Sequence, residues 1–74
     1  MNKIESQIHE LSNMIDGLDI SLERIKELTE RIIFNHYPFE SSEEMTFSLE
    51  TLRTILQKDR GELKATMKEL QKQL

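Results

Sequence analysis

The sequence predicts an all-α fold: an antiparallel hairpin of two long, coiled-coil-like helices, expected to dimerise into a four-helix bundle. Three observations predict it. Apolar residues recur at steps of four and three along most of the chain. The only proline, Pro38, falls near the middle. The chain has 74 residues, close to the lower limit at which one chain buries enough surface to fold alone. The expected layout is a single domain, 1–74, with a helix over about 2–35, a turn over about 36–41 and a helix over about 42–73.

In the first helix Ile4, Ile8, Leu11, Ile15, Leu18, Leu22, Ile25 and Ile32 keep the rhythm, and Thr29 fills the one polar slot. These are the a and d seams of a heptad pattern. Met14 and Leu28 flank the seam and widen it, which suits a bundle better than a two-stranded coil. Gly17 falls on the exposed side, where it weakens a helix without stopping it. The Thr29 hydroxyl can bond back to the carbonyl of residue 25, so its burial need not be costly. As a lone polar seam position it is also a candidate for fixing register or partner.

The first helix must end before Pro38, because proline disfavours helical geometry at Tyr37 and clashes with a continuing turn. Ser41 and Glu44 have capping-box spacing, and Glu43 and Glu44 suit the positive end of a helix dipole. All the aromatic residues, Phe34, Tyr37, Phe39 and Phe47, lie within this region. Tyr37 and Phe39 are expected to lid the core over Ile32 and Met45, and they are the secondary candidates for contact with a partner protein. Phe34 and Phe47 fall out of phase with the seam, so they are expected to point outward and meet a partner protein.

The second helix reads Met45, Leu49, Leu52, Leu56, Leu63, Met67, Leu70 and Leu74. The seven-residue gap after Leu56 implies a stutter, with Gly61 beside it. A continuous or kinked helix is favoured over a break, since no proline or further turn residue accompanies the glycine.

Two such rods leave each apolar stripe half covered, and Met14, Leu28, Ile33 and Ile55 ask for more neighbours. A homodimer is therefore expected, with Ile8, Leu11, Ile15, Leu18, Leu22, Ile25, Leu49, Leu52, Leu56 and Leu63 at its interface. Charges segregate beside the second stripe. Arg60, Lys64, Lys68 and Lys72 take one flank, and Asp59, Glu62 and Glu69 the other.

Several functional classes are not expected. Net charge is −4, although residues 58–74 carry five basic and three acidic side chains. That acidic majority disfavours general nucleic-acid binding, which leans on phosphate attraction. With no cysteine there is no disulfide or thiolate metal site, and a reducing, cytoplasmic location is expected. The first residues lack the apolar core of a signal peptide, and the apolar run Ile32-Ile33-Phe34 is far too short to span a bilayer. His9 and His36 lack the glutamate three residues earlier that a di-iron bundle uses, because Ser6 and Ile33 stand there. Glu23, Glu27 and Glu30 read as surface partners of Arg24, Lys26 and Arg31 rather than as an acid–base pair in a dry pocket. No catalytic residue, cofactor or metal is expected. The sequence instead suggests a small regulator, adaptor or inhibitor that binds a protein through its aromatic turn end and helix faces. The alternative is a nucleic-acid-binding regulator that uses the ridge Arg60, Lys64, Lys68 and Lys72.

Overall fold

A computed structural model describes residues 2–35 and 39–74, and side chains within 2–35 and 41–74. Helix α1 spans Lys3–Phe34 and helix α2 spans Phe39–Gln71, and no strand occurs among the described residues. Helix α1 starts with a reciprocal cap. The Asn2 side-chain oxygen accepts from the Glu5 N–H at 2.8 Å, and the Asn2 amide reaches the Glu5 carboxylate at 3.4 Å. An otherwise unpaired first-turn N–H is thereby satisfied. At the far end the Asn35 N–H donates to the Arg31 carbonyl at 3.0 Å.

Helix α2 begins at Phe39, ahead of the Ser41–Glu44 motif, so Ser41 lies inside the first turn rather than at a cap. A proline residue next to a helix start costs little, because the first N–H groups have no intrahelical acceptor anyway. The helix then continues through Gly61 without a break. A single interior glycine costs only about 1 kcal/mol relative to alanine, which packing of Leu56 and Leu63 on either side outweighs.

The two helices pack antiparallel. Leu28 and Ile32 of α1 lie with Met45 and Leu49 of α2, whereas Met14 and Leu18 lie with Asp59 and Leu63. Ile15, Ile25 and Ile32 are the buried core among the described residues. Thr29 is partly buried and its hydroxyl donates to the Ile25 carbonyl at 2.9 Å, as helix geometry allows.

The stripe that α2 turns toward α1 differs from the apolar reading of the sequence. Ser42, Thr46, Leu49, Leu56, Arg60, Leu63, Met67 and Leu70 are the half-buried positions. With Arg53 in the open slot they step by four and three without a stutter. Met45 and Leu52, expected in the seam, are instead exposed beside it. Arginine resolves the apparent irregularity: its aliphatic stem covers apolar surface while its head reaches the edge. The Arg60 guanidinium indeed bridges to Asp19 of α1, the one ion pair between the helices among the described residues.

The result is a rod of 54 × 16 × 12 Å with a radius of gyration of 16.8 Å. A compact domain of this length has a radius of about 11 Å, so little of the chain is enclosed.

Candidate interaction surfaces

With the seam fixed, each helix presents two flanks and a back. One flank is apolar. Met14, Gly17, Ser21 and Leu28 contribute from α1, and Met45, Leu52 and Ile55 from α2. Two shallow grooves open along it. One lies near the turn between Leu28 and Met45, and the other lies farther along between Met14 and Leu63, with Asp59 and Glu62 at its rim. Met14, Met45, Leu52 and Ile55 are exposed. In the middle the flank is flat: Gly17 has no side chain, and the Ser21 hydroxyl is turned back onto the Gly17 carbonyl at 3.1 Å. The sequence pattern named Met14, Leu28 and Ile55 as seam neighbours but did not assemble them into one face. That required the true phase of α2.

The opposite flank is charged. Asp19, Glu23, Lys26 and Glu30 of α1 face Glu50, Arg53 and Gln57 of α2 across a groove. Both signs are interspersed, which is the pattern of a solvated surface.

At the turn end Phe34 is 75% exposed and Phe47 71% exposed, as the heptad phase requires. They do not share a flank. Phe34 lies on the back of α1, whereas Phe47 lies on the charged flank of α2 in a shallow groove with Ser42, Glu43, Thr46 and Glu50. Ile33 is exposed on the same flank as Phe47. His36, Tyr37 and the side chain of Phe39 lie outside the described residues, and so does the lid expected of Tyr37 and Phe39. Ile20, which the sequence reading passed over, is exposed on the back of α1, two heptads before Phe34.

The residues expected at a dimer interface are largely occupied within one chain. Ile15 and Ile25 are buried between α1 and α2, and Ile8, Leu11, Leu18, Leu22, Leu49, Leu56 and Leu63 are half-buried there. Leu52 alone of that set is exposed. The basic row does not form one straight line. At four-residue spacing it winds from the seam at Arg60 toward the back at Lys72. Arg60 is engaged by Asp19 and Lys72 by Glu69 at 3.1 Å, which leaves Lys64 and Lys68 exposed between them. His9 is exposed on α1. Among the described residues no three His, Cys, Asp or Glu side chains come together as a metal-holding group, and no helix is long and apolar enough to cross a membrane.

These features define an antiparallel helical hairpin with an uncovered apolar flank and exposed aromatic residues at its turn end. No known protein family, curated protein or solved structure matches the chain.

Proposed function

We propose that this chain is a non-enzymatic protein–protein interaction module, a small regulator, adaptor or inhibitor that self-associates into a four-helix bundle and meets a partner protein through its turn end. One observation carries the reading: too much apolar surface is left outside. Nine large apolar side chains are exposed among the described residues, while three form the buried core. The chain exposes 5832 Å² for a mass of 8.8 kDa. A compact monomer of that mass exposes about 4,800 Å². Single exposed leucines are ordinary, but several on one flank with grooves between them mark a contact surface.

Division of labour between two surfaces follows from their chemistry. The aliphatic flank is long and flat and suits another helical rod. Phe34 and Phe47 offer rigid rings that bury much area at little entropic cost, a property common at contact hot spots. Nucleic-acid binding is the weaker reading, because Arg60 and Lys72 are already paired and the row lacks interleaved aromatics for base stacking.

The test is a double substitution, Phe34→Ser with Phe47→Ser. Helicity and melting are expected to stay within about 1 kcal/mol of the parent, since both rings are solvent-exposed. A pull-down from the native host is expected to lose the partner. Retention of the partner by a folded double variant would place the contact elsewhere.

A further inference from the structure

The apolar flank is polarised by charge along its length. Its turn-proximal half carries Arg24 and Arg31 on α1, with Glu44 at the outer rim. Its distal half carries Glu10 on α1 and Asp59, Glu62 and Glu69 on α2, against Lys3 at the extreme end. All of these side chains are exposed. Arg24 is engaged only by a surface contact to Glu27 at 3.4 Å.

The geometry points to a second copy of this chain as the occupant of the flank, docked head to tail about a two-fold axis that lies in the plane of the interface and crosses the rod at right angles near Ser21 and Ile55. The inference rests on the self-association reading above and adds to it a face and a direction. A stable interface takes roughly 800 Å² from each partner, and the flank runs along a rod 54 Å long. A two-fold contact uses the same patch on both copies, so the patch must be complementary to itself. Docked in the same direction, the two-fold axis would run along the rod and set α1 against α2 of the second copy, so Glu10 would face its Glu62 and Glu69. Docked head to tail, α1 lies against α1 of the second copy, and Arg31 meets its Glu10 along the shared edge. In that register Met14 packs against Leu28 of the second copy, and Ser21 and Ile55 each face their own counterparts across the axis, where Gly17 keeps the centre flat. Complementary charge fixes orientation more than it adds affinity, and it is sensitive to salt.

The chain contains no cysteine, which makes single-cysteine variants clean reporters. Met14→Cys and Leu28→Cys are prepared separately, mixed, and equilibrated in a glutathione redox buffer. Head-to-tail docking predicts a heterodisulfide formed at least tenfold more efficiently than either homodisulfide, because like positions lie about 20 Å apart in that register. Homodisulfides as efficient as the mixed species would overturn the direction. Sedimentation velocity on the parent chain separates the two levels: a monomer overturns self-association itself, whereas a dimer with homodisulfides overturns only the head-to-tail arrangement. A second series checks the charges at low salt. Arg31→Glu is expected to weaken the dimer at least threefold, and adding Glu10→Lys to restore it. A folded double variant that stays as weak as the single variant counts against head-to-tail docking.

Discussion

At the scale of single residues, the seam shows which polar groups a thin core accepts. Thr29 is satisfied within its own helix by the Ile25 carbonyl, so it costs packing rather than an orphaned hydroxyl. Thr29→Ile is expected to raise stability by about 0.5–1 kcal/mol through added apolar burial, read as a higher melting temperature. If the variant instead populates several oligomeric states, Thr29 specifies register. Ile25 is 5% exposed and is one of the three buried side chains. Ile25→Ala is expected to cost about 2–5 kcal/mol and to unfold much of so small a chain in a denaturant titration. Thr29's bond was legible in the sequence because helix geometry alone places residue 25 one turn back. The role of Arg60 was not, since the identity of a charged residue does not reveal that Asp19 waits across the seam.

At the scale of elements, α1 was readable and α2 only half so. The ladder from Ile4 to Ile32 is unbroken, so its phase admits one solution, and the outward direction of Phe34 follows from it. In α2 the apolar residues themselves mislead. Met45 and Leu52 mimic seam positions, while the helix turns Thr46, Arg53 and Arg60 along the stripe that faces α1. Packing against α1 decided the phase, a tertiary effect that no local pattern contains. The start of α2 was missed for a related reason: Ser41 has capping chemistry, yet the helix had begun at Phe39. Gly61 remains a soft point inside a continuous helix, and a side chain there would meet nothing within 4 Å. Gly61→Ala is therefore expected to stabilise the hairpin by about 1 kcal/mol, measured by thermal unfolding followed by circular dichroism. A loss of stability would mean that the glycine serves a bend in the working state. Gly17 has the same empty surroundings but lies on the apolar flank. Gly17→Ala is expected to raise helicity yet weaken self-association, because it thickens the flat centre of that flank.

At the scale of the whole molecule, the rod shape links composition to proposed function. Two long helices alone cannot surround a core, so a 54 Å hairpin exposes what a globular domain of the same mass would enclose. The sequence already carried a surplus of flanking apolar residues, of which Met14, Ile33 and Ile55 are exposed on the hairpin. It did not show which face they form, because the uncovered face depends on how α2 is rotated. The central claim is that the flank of Met14, Leu28, Met45, Leu52 and Ile55 is covered by a second chain. Sedimentation equilibrium on the parent and on Leu52→Ser with Ile55→Ser tests it most directly. Neither substituted side chain belongs to the buried core, so the double variant is expected to keep its helices. The parent is expected at twice the chain mass at micromolar concentration and the variant at the single chain mass. A parent that sediments as a single chain and still unfolds cooperatively would contradict the claim.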